Sequence, residues 1–177
     1  THQNVLVFYK GNPKEIKNIF PIIKVNEESE INDNDITLAT VLDMPELIEF
    51  RKPFIKDKFI MYLSAAIIQD AVDKQRLYLL KKDGEIKAYL WLNNMPRKEV
   101  CKIEEICSTV TGGGTKFMQF AEQQSKFKTM YLEVVDYNEN AINFYINKGY
   151  SITDKKVGEK ITNLVMTKQI DNESTDV

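Results

Sequence analysis

The chain has 177 residues, with 24 basic and 26 acidic side chains, a net charge of −2 and 43% apolar residues. That length suits one domain with its own core and leaves little room for two, and the apolar share is too high for wholesale disorder. A domain that neutralises many phosphates is visibly basic, so the balanced charge argues against a dedicated nucleic-acid binder.

The first segment, Val5 to Tyr9, is apolar and β-prone. Gly11, Asn12 and Pro13 signal a turn, a short helix is predicted over Lys14 to Phe20, and Pro21 stops it. Residues 26–35 are polar and acidic and read as a linker or exposed loop. Ile36 to Val41 reads as a strand. Asp43 is placed to cap a helix over Met44 to Lys52, with Pro45 in its first turn. A longer helix is predicted from Asp57 to Lys74, where Phe59, Ile60, Leu63, Ala66 and Ile67 form a stripe at helical spacing. Leu77 to Lys81, then Asp83-Gly84, then Glu85 to Leu92 is a hairpin signature, since Asp-Gly tolerates the positive φ angles of a tight turn.

Another strand follows over Val100 to Ser108. The run Gly112-Gly113-Gly114 opens a helix over Thr115 to Lys126, with Phe117, Phe120 and Ala121 on its apolar face. Tyr131 to Val135 alternates with period two, and Asn140 to Lys148 is a short helix ended by Gly149. Strands over Tyr150 to Lys155 and Ile161 to Lys168 close the pattern, and the tail from Asp171 to Val177 reads as disordered. The hairpins require antiparallel pairing, and the strand–glycine loop–helix–strand unit requires a parallel crossover. An α/β (α+β) fold with a mixed sheet follows.

Two cysteines, Cys101 and Cys107, stand six apart in one predicted strand. At about 3.3 Å per residue their Cα atoms lie roughly 20 Å apart, beyond disulfide reach, so a reducing, cytoplasmic compartment is expected. The only histidine is His2. Histidine triads and histidine-rich metal sites are therefore nearly excluded, and no metal is expected. No apolar run approaches the roughly 18 residues of a membrane span, and a basic-then-apolar secretion signal is absent, so no membrane partner is expected.

A glycine loop running straight into a helix N-terminus presents unpaired backbone N–H groups and a partial positive charge, which suits a pyrophosphate. Thr115 and Lys116 would add a hydroxyl and a cation there. Neither the P-loop pattern nor the dinucleotide fingerprint is present. Alone, the glycines are equally compatible with a flexible connection.

The stretch Asn138-Glu139-Asn140-Ala141-Ile142-Asn143-Phe144-Tyr145-Ile146-Asn147-Lys148-Gly149-Tyr150 adds a second motif. Following a strand, it closely resembles the Asn-x-x-Ala-x-x-x-Tyr-x-x-x-Gly-aromatic pattern of the GNAT superfamily of N-acetyltransferases. Upstream, Gly112 and Gly114 fall on the small-residue positions of that family's Gln/Arg-x-x-Gly-x-Gly/Ala loop, while Thr109 departs from the Gln/Arg position. The resemblance spans about residues 36–168 and is sharp from Val100 to Tyr150. It implies a mostly antiparallel central sheet with a splayed parallel strand pair, flanked by helices. It also implies acetyl-CoA as co-substrate, its arm running along Glu105, Ile106 and Cys107, and its pyrophosphate held by Thr109, Thr111, Gly112, Gly113, Gly114, Thr115 and Lys116.

The implied reaction is direct attack by a primary amine on a thioester, which needs a base, an oxyanion donor and an acid for the departing thiolate. Tyr145 is the candidate acid by its motif position, with a packing tyrosine as the alternative. Glu104 and Glu105 are the base candidates. They are adjacent, so a regular strand points them to opposite faces, and a bulge would spoil that parity. Asn138 is either a coenzyme contact or a helix cap. Cys107 reads as a small apolar strand residue rather than a nucleophile. Arg51 and Lys52 are placed near an acceptor cleft or, by default, on the surface. The alternative function is a catalytically silent CoA-binding or partner-binding module on the same fold. The amine acceptor is unspecified, and a monomer and a homodimer are equally compatible. Residues 1–35 lie outside the resemblance and have three possible roles: an added strand, a cover over the cleft, or a dimer contact.

Overall fold

The computed structural model describes residues 35–171 and the backbone of residues 6–8. The Asp83-Gly84 turn, with φ of 55° and 81°, joins β3 (Leu77–Lys82) to β4 (Glu85–Met95) as the dipeptide predicts. A short antiparallel strand, β2 (Ile36–Leu38), pairs with β3 at one edge. On the other side β4 pairs with β5 (Val100–Ser108), whose limits match the sequence reading. Next comes β6 (Thr129–Val135), parallel to β5. Beyond it the hairpin of β7 (Ser151–Val157) and β8 (Thr162–Gln169) places β8 against β6 and leaves β7 at the far edge. The main order is therefore β2-β3-β4-β5-β6-β8-β7, mixed and mostly antiparallel.

Two features of this sheet position everything else. First, β5 and β6 pair only from Val100↔Thr129 to Ile103↔Leu132 and then part. A short strand from the N-terminal segment, β1 (Leu6–Phe8), runs parallel to β5 at Ile106–Ser108, in the stretch β6 has left. Second, the β4–β5 register jumps from Trp91↔Glu105 to Leu92↔Ile103, so Glu104 is an extra residue on β5. The bulge reverses strand parity. Cys101 and Cys107 would share a face in a regular strand, yet they lie in two different cores. Both are buried free thiols.

Each face of the sheet is covered by a helix pair. α1 (Met44–Lys56) and α2 (Ala65–Asp73) bury Leu47, Phe54, Ile68, Ala71 and Val72 against Leu77, Leu79, Tyr89 and Cys107. α3 (Gly113–Gln124) and α4 (Glu139–Asn147) bury Phe117, Met118, Ala121, Ala141 and Tyr145 against Leu90, Ile103, Ile106 and Leu132.

Three expectations need correction. The long helix from Asp57 to Lys74 does not form. Instead α1 runs on to Lys56, the chain turns at Lys58 with φ 61°, and α2 starts only at Ala65. The amides of Phe59 and Ile60 fold back onto the Phe54 carbonyl, at 3.1 and 3.5 Å. The apparent stripe thus mixed loop residues that plug the core, Ile60 and Leu63, with a helix whose buried face is Ile68, Ala71 and Val72. Asp43 does not cap α1 through its side chain; its Oδ2 accepts from Thr40 N at 2.7 Å and Thr40 Oγ1 at 2.8 Å, closing the preceding turn. Arg51 is not a surface charge but a buried residue of α1. Lys52 is exposed and paired with Glu49. The predicted helix over Lys14 to Phe20 and the tail 172–177 lie outside the described residues.

The corrected start of α2 gives a direct test. Ile68→Ala should cost about 2–5 kcal/mol in chemical denaturation, because Ile68 is 3% exposed in the core. Ile67→Ala, at a position 37% exposed, should cost well under half of that.

Candidate active site

The gap between β5 and β6 opens at the carboxyl end of β5, where the chain enters the glycine loop. In open sheets this is where ligands bind, outside the carboxyl ends of parallel strands. Two glycine positions are fixed by physics. Gly112 sits at φ 81° and begins α3 from the left-handed region. Gly113 packs so closely that a Cβ would lie 2.4 Å from Ser108 Oγ and 3.0 Å from Val110 Cγ2. Ser108 braces the turn, donating to Val110 O at 2.9 Å and accepting from Val110 N at 3.2 Å. The Gly113 amide goes to Val110 O at 3.3 Å and the Lys116 amide to Gly112 O at 2.9 Å. Helix geometry leaves the amides of Gly114 and Thr115 without an intrahelical acceptor. An anion placed at the gap meets those donors and the positive helix end.

Thr109 has a different occupation. Its amide and its hydroxyl both donate to Lys87 O, at 2.9 and 3.0 Å. The residue that departs from the Gln/Arg pattern therefore ties the loop to β4. Asn138 caps α4, its Oδ1 accepting from the Ala141 amide at 3.2 Å. Tyr145 is fully buried on α4, with its ring against Phe144 and Tyr150 at centroid distances of 5.6 and 5.8 Å.

The bulge brings Glu104 and Glu105 to the same side of the sheet, the side of α1 and α2, where their partners differ. Glu105 is held by Arg51, whose Nη2 lies 2.9 Å from both carboxylate oxygens, and by Tyr89, whose hydroxyl donates to Oε2 at 2.6 Å. Arg51 Nη2 also reaches Met61 O at 3.1 Å, and Cys107 Sγ lies 3.5 Å from the Tyr89 hydroxyl. Burial lifts the Glu105 carboxyl above its ordinary range, while Arg51 and Tyr89 oppose that lift. Arg51 itself is held more firmly protonated: burial works against its charge, and Tyr89 and Glu105 outweigh burial. The fixed guanidinium charge and the two-pronged contact favour the ionised carboxylate. Burial also pushes the Cys107 thiol well up, which agrees with an inert apolar role.

Glu104 belongs to a second cluster that sequence reading missed. Its Oε1 accepts from Asn93 Nδ2 at 3.1 Å, and its Oε2 lies 2.8 Å from Lys102 Nζ. Lys102 Nζ is 3.9 Å from Glu133, which accepts from Lys156 Nζ at 2.7 Å and from the Tyr131 hydroxyl at 2.8 Å. Burial alone would raise the Glu133 carboxyl, but Lys156 and Tyr131 outweigh it and hold it below its ordinary range. The period-two alternation of β6 was visible, and it sets Tyr131 and Glu133 on one face; what it faced was not. Above the cluster, the Tyr137 hydroxyl donates to Lys58 O at 3.0 Å, joining the loop after β6 to the α1–α2 connection. Among the described residues no group of three metal-ligating side chains occurs, and no helix is long and apolar enough to cross a membrane.

No protein-family model matches this sequence, and no curated protein sequence matches it significantly. Solved structures share its fold. The ribosomal-protein-S18-alanine N-acetyltransferase of Escherichia coli superposes with a TM-score of 0.63 at 15% identity, over 80% of this chain and 97% of that one. YncA of Salmonella typhimurium, solved with its cofactor acetyl-CoA, gives 0.64 at 12% identity over 80% and 96%. A GNAT-family acetyltransferase of Streptococcus pneumoniae gives 0.61 at 18% identity over 76% and 98%. The chain has the GNAT-type acetyltransferase fold that the sequence motifs imply.

Two outcomes test the electrostatics. Glu105→Gln should destabilise the fold by about 3–5 kcal/mol, because it strands the buried Arg51 charge, whereas the double change Arg51→Met with Glu105→Leu should cost far less in the same denaturation series. Because the Glu133 carboxyl is depressed in the fold, its contribution is present above the ordinary value of 4.5 and is lost as pH falls through the lower folded value. Glu133→Gln should therefore flatten the fall in stability below pH 4.5, followed by thermal denaturation across pH.

Proposed function

We propose that this chain binds acetyl-CoA and transfers the acetyl group to a primary amine on a small molecule or a peptide. The observation that carries the reading is the parting of β5 and β6 beyond Ile103, with the glycine-led start of α3 at its mouth. Such a gap offers a strand edge to a linear ligand and a donor-rich pocket to its phosphates. Acetyl-CoA supplies an activated thioester carbonyl. In this reading the amides at Gly114 and Thr115, with Thr111 and Lys116, hold the pyrophosphate, and the backbone of Glu105 to Cys107 guides the arm.

The two glutamates separate in role. Both carboxylates have partners, but Glu105 is locked by the buried, permanently charged Arg51 guanidinium and the Tyr89 hydroxyl, whereas Glu104 is held by an amide and a lysine, so Glu105 is assigned to holding α1 against β5. Glu104, beside Lys102 in the cluster of β5, β6 and β7, is assigned as the base that accepts the amine proton, directly or through water. Tyr145, on the helix flanking the gap, is assigned as the acid for the thiolate. A cationic amine approaching from the side of Glu104 and Glu133 meets carboxylates that are already balanced by Lys102 and Lys156, so charge alone does not specify it.

The test is release of free thiol from acetyl-CoA across a panel of amines. Acetyl-CoA binding without thiol release on any amine would make the chain a binding module. In an active protein, Tyr145→Phe should lower kcat by about 10²-fold and leave acetyl-CoA affinity nearly unchanged. Glu104→Gln should lower kcat by about 10²-fold with acetyl-CoA affinity nearly unchanged, and an unaltered kcat would strip Glu104 of the base role.

A further inference from the structure

The strand β1 occupies the place the sheet leaves for a ligand. Beyond Ile103, β5 has no partner in β6, and its edge is taken by Leu6↔Ile106, Val7↔Cys107 and Phe8↔Ser108. β1 runs parallel to β5, so its last residue stands beside Ser108, where the chain enters the glycine loop. β1 also lies close to α4, the helix of Tyr145. A ligand with its phosphates at the start of α3 and an extended arm reaching towards Glu104 and Tyr145 must run along this same edge. One strand edge has one row of donors and acceptors, and two extended partners cannot use it together.

We infer that the N-terminal strand is a built-in competitor for the coenzyme arm: Leu6–Phe8 closes the gap in the free protein and must leave before acetyl-CoA enters. The inference rests on the proposed acetyl-CoA binding. It makes the N-terminal segment a control on access. Anything that draws that segment away raises coenzyme affinity, and anything that holds it down lowers affinity. Three residue pairs are few enough for such an exchange, since a short parallel ladder is among the weaker unions a sheet forms.

Hydrogen exchange on the full wild-type chain tests this without any variant. Saturating acetyl-CoA should increase exchange at the amides of residues 6–8 while the amides of residues 106–108 stay protected. Binding with residues 6–8 unchanged or better protected would overturn the inference and leave the proposed function standing. Absence of any acetyl-CoA binding by calorimetry would remove the proposed function, and the inference with it. The double change Val7→Pro with Phe8→Pro, which takes one β5-facing donor from β1 because successive amides point to opposite edges, should tighten acetyl-CoA binding about tenfold and lower its KM without altering kcat. A peptide of residues 1–12 added to that variant should compete with acetyl-CoA. Equal affinity in the two proteins, or no competition by the peptide, would sink it.

Discussion

The extra residue at Glu104 is the constraint from which the rest of the architecture follows. Up to Ile103, β5 is an ordinary strand held between β4 and β6. After the bulge its side chains change faces, and pairing with β6 has ended. That single insertion puts Cys107 and Glu105 against α1 and α2, sends Ile106 to α3 and α4, and gathers both glutamates on one side. Bulges bend a strand and raise its local twist, which is the physical means of steering β5 away from β6. A gap inside a sheet rather than at its rim is the result, walled by α4 on one face and by Arg51, Tyr89 and Glu105 on the other.

The wall on the α1 side is electrostatic in a low-dielectric setting. Burying Arg51 and Glu105 costs solvation for both, and the arrangement recovers it with two short contacts from Nη2, the Tyr89 hydroxyl and the Met61 carbonyl. The Met61 contact matters because it binds the α1–α2 connection to the same guanidinium. One cation thereby fixes the helix, the connection after it and the central strand. A carboxylate spent on that task is poorly suited to exchanging protons, and this is the physical ground for dividing roles between neighbouring glutamates that look interchangeable in the sequence.

What the sequence disclosed follows from how local each signal is. The Asp83-Gly84 hairpin, the limits of β5 and the glycine-led α3 rest on backbone preferences within a few residues, and they were legible. The Asn138 cap, one of two roles the sequence leaves open for that residue, is a local signal of the same kind. The break between α1 and α2 was not, because Ile60 and Leu63 are as buried as helical core residues and imitate their spacing. The bulge was foreseen only as a hazard, since a register slip belongs to a pair of strands and leaves no mark in one of them. Arg51 read as a surface charge because its partners stand 38 and 54 residues away. The cluster of Lys102, Glu104, Glu133 and Lys156 escaped for a similar reason: its members come from three strands, and none carries a motif.

The N-terminal strand completes the physical picture of the gap. Buried backbone donors and acceptors must be paired, and an inner strand edge left open would be costly. Ile106 and Cys107 are fully buried, so their outward groups need a partner in the free protein as well as in a complex. A permanent strand would satisfy them and forbid ligands; bare solvent would have to penetrate between two cores. A three-residue strand meets both demands, since it pairs the edge when nothing else does and is short enough to be exchanged. The constraint that opens the sheet at Glu104 thus also accounts for the one part of the N-terminal segment that the structure describes.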